Sequence, residues 1–130
     1  MQNQDKVSLS IGDIVTATYK TGEYIGELTE LSSPRGVVKI LAVIKHPTQG
    51  DLHQLYEADV AMFHQRKALA YTEKALVPLS AIHPYSGSIP GYKESLQKAV
   101  QLEMEMLSRT GDWARRALEQ LEELKKDYTF

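Results

Sequence analysis

Period-two alternation up to about residue 85, a Ser/Gly/Pro break at Ser86–Gly91 and three- and four-residue apolar spacing beyond it predict an α+β protein. The N-terminal part reads as mainly β and the C-terminal part as helical. At 130 residues the chain is one domain's worth, or two small lobes sharing a core. Its 42% hydrophobic and 25% charged fractions are those of a globular protein and argue against wholesale disorder.

Residues 1–8 are polar and expected to fray. Asp13–Tyr19 is rich in β-branched residues, and Val15, Ala17 and Tyr19 share one face of the predicted strand. Lys20–Glu23 supplies a turn, with Gly22 as its expected positive-φ residue. Tyr24–Leu31 is a second, half-exposed strand, and Gly26 within it marks a bulge or a close backbone approach. After the Ser32–Gly36 turn, Val37–Lys45 is the most apolar strand and is expected at the centre of the sheet.

Residues 45–66 show no clear periodicity. Beyond them Lys67–Tyr71 and Ala75–Pro78 read as two further short strands, and Leu79–Tyr85 as a helical turn or irregular closing segment. Five short strands, one long connection and a terminal single turn describe an SH3-like five-stranded β-barrel.

From Tyr92 the apolar positions Tyr92, Leu96, Ala99, Val100, Met104 and Leu107 define a helix. Thr110–Gly111 is read as its stop, with Gly111 an αL cap, and Asp112 as the N-cap of a second helix striped by Ala114, Ala117, Leu118, Leu121, Leu124 and Tyr128. Glu122 and Lys126 form a favourable i,i+4 pair, and Trp113 pins the corner between the helices. Leu102, Met104 and Met106 are assigned to the core. The expected division is therefore 1–86, the barrel with its long 45–66 loop, and 87–130, a C-terminal α-helical hairpin. The stripes of the hairpin exceed what two helices satisfy in each other, so one helix must also cover either the barrel or a second copy of the chain, the latter giving a homodimer through the hairpin.

The composition narrows function by exclusion. Fifteen basic against 17 acidic residues give a net charge of −2, which disfavours nucleic acid, since phosphate binding needs surplus cations. There is no cysteine, so disulfides and thiolate chemistry are absent. The N-terminal residues show neither a signal-like apolar run nor a lipidation cysteine, so the expected location is cytoplasmic, or membrane-associated through a partner.

His46, His53 and His64 fall in the long loop with Asp51, Glu57 and Asp59 between them. Imidazole and carboxylate suit a metal, yet no compact ligand pair such as H-E-x-x-H is present, and hydrogen bonds that shape the loop are the commoner use of such residues. No nucleophile motif or phosphate-binding loop occurs, so no catalytic residue, metal or cofactor is assigned and the chain is read as non-enzymatic. The contact surface expected for a protein partner is His46, Asp51, His53, His64, Arg66 and Lys67, on the strength of loop length and polar density. The alternative is a metal- or small-ligand-binding protein or enzyme using the histidine-rich segment 46–64.

Four phrases carry a family resemblance: Tyr19–Glu27 (YKTGEYIGE), Lys45–His53 (KHPTQGDLH), Phe63–Tyr71 (FHQRKALAY) and Ile89–Tyr92 (IPGY). Together they resemble the kinase-associated protein B family of spore-forming bacteria, over about Ile11 to Leu107. The resemblance implies an accessory factor needed for a membrane sensor histidine kinase to feed the phosphorelay that starts sporulation. It also implies an SH3-like barrel with a C-terminal helical pair. Members have been described as lipoproteins. The resemblance assigns no functional residue.

Overall fold

The computed structural model describes residues 8–128. The fraying expected of the N-terminal residues lies outside the described residues, apart from Ser8. Strands β1 (Ile14–Tyr19), β2 (Gly22–Ser32), β3 (Arg35–Lys45), β4 (Lys74–Pro78) and β5 (Ile82–Pro84) precede one helix, α1 (Tyr92–Asp127), with a 3-10 turn at Leu79–Ala81 between β4 and β5. All pairings are antiparallel, in the order β4-β3-β2-β1-β5.

The predicted α+β class and the number of strands hold, though not the identity of every strand. The sheet curls, bringing β1 against β4 across the interior. It does not close, because the two edges β4 and β5 do not pair with each other.

Alternation builds the core. Val15 and Ala17 of β1, Tyr24 and Leu28 of β2, Val38, Ile40 and Val43 of β3, and Ala75 and Val77 of β4 all point inward, with Ile82 of β5 and Ala99 of α1 completing the cluster. Strand β3 is interior, as expected for the most apolar strand. Gly26 sits at a register shift between Ile25 and Gly26, and a Cβ there would run into the Lys39 carbonyl and the Val38 side chain. Of the two readings of that glycine the close approach is realised, and the extra residue of the bulge is Leu41 on the opposite strand, β3.

Several expectations give way. The Lys67–Tyr71 segment pairs with no strand. Most of its backbone bonds go to side chains instead: Leu69 N–H donates to the Tyr24 hydroxyl at 3.2 Å, the Tyr92 hydroxyl donates to Leu69 O at 2.6 Å, and Ala70 N–H donates to Glu73 Oε1 at 2.8 Å, while Ala70 O accepts from Glu73 N–H at 3.0 Å. The fifth strand is instead Ile82–Pro84, inside the Leu79–Tyr85 segment expected as a helical turn or irregular close, whose first part, Leu79–Ala81, is the 3-10 turn. In the β1–β2 turn the positive φ falls on Lys20 (55°) rather than Gly22, which is buried at the start of β2.

The largest correction concerns the helices. Among the described residues there is no hairpin; α1 runs unbroken through Thr110, Gly111 and Asp112. Reversing two packed helices takes a loop of about 2–5 residues outside helical geometry, and this stretch contains none. Thr110 Oγ1 donates to Met106 O at 2.9 Å, a bond within the helix, and the Asp112 carboxylate pairs with Arg115 at 3.3 Å rather than capping. One interior glycine costs a helix about 1 kcal/mol, which the flanking good helix formers tolerate. Lys126 pairs with Glu123 at 3.8 Å, not with Glu122. Trp113 pins no corner and is 70% exposed, and Leu102, Met104 and Met106, assigned to the core, are also exposed.

The first turns of α1 dock on β3 where β4 has ended. Beyond Lys39, β3 bonds outward by other means. Ile40 N–H donates to Glu73 O at 2.9 Å, Thr72 N–H donates to Ile40 O at 2.7 Å, and Val43 N–H donates to Ser95 Oγ at 2.9 Å. Ser95 therefore holds the helix to the sheet as a further strand would. Its hydroxyl in turn donates to Tyr92 O at 2.8 Å.

Candidate functional site: the connection between β3 and β4

Residues 46–73 contain no helix or strand, and their course is held at a few points. The Gln49 amide makes three bonds at the base of the loop, two of them across it to Arg66. Its Nε2 donates to Pro47 O at 3.0 Å and to Arg66 O at 2.9 Å, and its Oε1 accepts from Arg66 N–H at 2.7 Å. Arg66 Nη1 donates to Thr48 O at 3.1 Å and to Gly50 O. Gly50 N–H closes the staple by donating to His64 O at 2.8 Å. Gly50 itself has φ of 99° and lies against the Phe63 ring, so a side chain there would meet both strain and an aromatic face.

The predicted contact residues divide between two roles. Arg66 is half-buried and spends its guanidinium on loop carbonyls. Asp51 Oδ1 accepts from His53 N–H at 2.9 Å, a local turn that needs an acceptor two residues back. His46 Nδ1 lies 3.0 Å from Pro47 O and donates to it in the tautomer that carries the proton there. The side chains of His53, His64 and Lys67 are exposed. Lys67 lines a shallow cleft of about 320 Å³ with Lys20, Arg66, Tyr19, Tyr24 and Glu73.

The three histidines are not brought together. Among the described residues no three His, Asp or Glu side chains converge on a point that would hold a metal ion. The metal reading of segment 46–64 therefore gains no geometry from the fold.

What the sequence reading passed over is apolar. Tyr56 is 95% exposed, and Leu55, Met62 and Phe63 are also turned outward. A groove of about 250 Å³ runs between this part of the loop and α1, bounded by Tyr56, Phe63, Glu103 and Leu107. Buried aromatics dominate binding energy at protein interfaces, with polar residues forming the rim. A run of polar and charged residues in a non-periodic segment draws attention in the sequence, whereas the exposure of its aromatics is visible only in three dimensions.

Two tyrosines tie the exit of the loop to the body. Burial pushes the Tyr24 hydroxyl above its ordinary pKa, opposed in part by the Leu69 N–H that it accepts. Burial also raises Tyr92, assisted by the nearby Glu73 carboxylate. Both remain neutral and available for hydrogen bonding at neutral pH. The Tyr71 ring lies 5.8 Å from that of Tyr92 at a tilt of 53°, a favourable aromatic geometry.

Comparison with known proteins agrees with the resemblance in the sequence. A family described as "Kinase associated protein B" matches residues 19–129. The "Kinase-associated lipoprotein B" of Bacillus subtilis (strain 168) is 47% identical over 118 residues, covering 90% of this chain and 92% of that protein. A crystal structure of kinase-associated protein B from Bacillus cereus superposes with a TM-score of 0.67 at 41% identity, covering 95% of this chain and all of that one.

Proposed function

The chain belongs to the kinase-associated protein B family, and on that premise we propose that it is a non-enzymatic accessory protein that supports activation of a sensor histidine kinase in the sporulation phosphorelay, by direct protein contact. The observation that carries this reading is the connection between β3 and β4. It is a long segment fixed at its base by Gln49 and Arg66, and it holds Tyr56, Met62 and Phe63 out toward solvent with His53, His64 and Lys67 around them. A contact surface anchored in advance pays less ordering entropy on binding than a free loop would.

In this reading the six residues expected from the sequence serve differently. Arg66, Asp51 and His46 shape the loop, and His53, His64 and Lys67 form the polar rim of the contact. The aromatics supply its centre. No described helix is long and apolar enough to cross a membrane. Association with a membrane through the kinase follows if the kinase is itself embedded there. The related Bacillus subtilis protein is called a lipoprotein.

Calorimetric titration of the protein against the cytoplasmic part of the candidate sensor kinase tests the proposal. Saturable binding is expected, weakened about tenfold or more by Tyr56→Ala or Phe63→Ala. Both side chains are exposed, so these variants should unfold at the wild-type temperature. No heat of binding, with both proteins folded, would sink the claim of direct contact.

A further inference from the structure

The groove of about 250 Å³ between the β3–β4 connection and α1 joins apolar and acidic side chains. Tyr56, Phe63 and Leu107 give it aromatic and hydrocarbon surface. Asp51 and Glu57 from the loop and Glu103 from the helix bring three carboxylates to the same cavity. Among the described residues that line it, none is basic. The nearby cations do not fill that gap. Lys45 Nζ reaches Glu103 Oε1 only at 3.9 Å, and Arg66 turns its guanidinium to the carbonyls of Thr48 and Gly50. Asp51 commits one oxygen to His53 N–H, and Glu57 has no ion-pair partner among the described residues.

We propose that this groove receives an arginine side chain presented by the protein partner. Size and charge together select that occupant. The cavity is smaller than the roughly 300–1,000 Å³ of a small-molecule site, and suits one long side chain. Among the described residues no three acidic groups converge on a point, so the carboxylates form no cage for a metal ion. They are instead spread around a cavity whose remaining surface is largely apolar. A guanidinium answers both features. It is planar and weakly hydrated, its donors point in several directions toward separate carboxylates, and it stacks on aromatic rings. Its hydrocarbon stem covers apolar surface on the way in. A neutral apolar side chain would strip water from the carboxylates and give them no partner, and an acidic one would add like charge. That the partner is the kinase rests on the function proposed above; the preference for arginine rests on the groove alone.

Two measurements keep this inference apart from the kinase reading. In the first, acetyl-leucyl-arginyl-leucine amide is titrated into the isotopically labelled full chain and followed by NMR. The control is the same peptide with citrulline in place of arginine, which keeps the planar shape and loses the charge. The arginine peptide should shift the amides of Tyr56, Phe63 and Glu103, and the citrulline peptide should bind about tenfold more weakly. Glu57→Gln with Glu103→Gln should bring the arginine peptide down to the level of citrulline. The single long ion pair lost in that variant is worth about 0–1 kcal/mol, so it should melt close to the wild-type temperature. In the second, the double variant is titrated by calorimetry against the cytoplasmic part of the candidate sensor kinase. Its affinity should fall about tenfold, and the salt dependence of wild-type binding should shrink with it. Equal shifts from the two peptides, or none at millimolar concentration, overturn the proposal whether or not the kinase binds. So does a kinase that binds wild type and double variant alike. A kinase that binds neither, while the arginine peptide still selects the groove over citrulline, overturns the kinase reading alone and upholds the arginine site.

Discussion

The bond between Ser95 and Val43 offers the sharpest test of how the helix is held to the sheet. Ser95 is 6% exposed and Val43 is 4% exposed, so neither polar group has ready access to water. In Ser95→Ala the Val43 N–H loses its acceptor and stays buried, which costs about 1–3 kcal/mol. The alanine also removes the hydroxyl bond to Tyr92 O, a smaller loss because that carbonyl lies within the first turn of the helix. For a chain of this size about 2 kcal/mol corresponds to a drop of roughly 6–12 °C in Tm. Urea denaturation followed by circular dichroism measures the loss, and amide hydrogen exchange at Val43 locates it, since that proton should exchange much faster in the variant. A loss below about 0.5 kcal/mol with Val43 still protected would refute the reasoning, because the hydroxyl would then not be the partner that holds the strand to the helix.

Other perturbations bear on the loop, the pH response and two glycines. Arg66→Ala should release the carbonyls of Thr48 and Gly50 and cost the loop about 2 kcal/mol, seen as faster proteolysis within residues 51–65; Lys67→Ala and His64→Ala, both exposed, should change stability by no more than about 0.5 kcal/mol. Because burial raises the Tyr92 pKa in the folded state, the unfolded chain gives up that proton first, and stability should fall as pH rises above the ordinary value of 10.0 toward the folded one. Tyr92→Phe should start less stable at pH 8, having lost the bond to Leu69 O, yet lose less between there and high alkaline pH in parallel denaturation series. Gly26→Ala should destabilise by about 1–3 kcal/mol, because its Cβ meets backbone that cannot move aside. Gly111→Ala has nothing within 4 Å of the new atom and should instead raise helix stability by up to about 1 kcal/mol in thermal melts.

Local pattern carried much of the fold. The alternation of Val15 with Ala17 and of Val38 with Ile40 names the inward face of its strand without reference to any neighbour, because side chains on a strand point alternately to its two sides. Gly26 announced the close approach of Lys39 for a similar reason, since an interior glycine in a strand has few other uses. The α+β class and the break at Ser86–Gly91 are likewise properties of short windows. The family was equally legible, because its phrases are contiguous.

What failed were judgements about where a partner lies. Thr110–Gly111 has the composition of a helix stop, but whether a helix ends there depends on whether the chain gains by turning back, and it does not. Leu102, Met104 and Trp113 have the residue types of a core, yet the sheet is too small to reach them, and periodicity cannot distinguish a stripe facing its own domain from one facing another molecule. Lys67–Tyr71 has the composition of a strand but loses its pairing to the hydroxyls of Tyr24 and Tyr92, which arrive from β2 and α1. Arg66 reads as a free surface cation until Thr48 and Gly50 are seen within its reach. Sequence settles what each residue prefers within a few positions of itself, since those preferences arise from bonds and sterics along the chain. The roles of Ser95, Gln49 and Arg66 arise from groups 16 to 52 residues away in sequence, and only the tertiary structure brings those groups together.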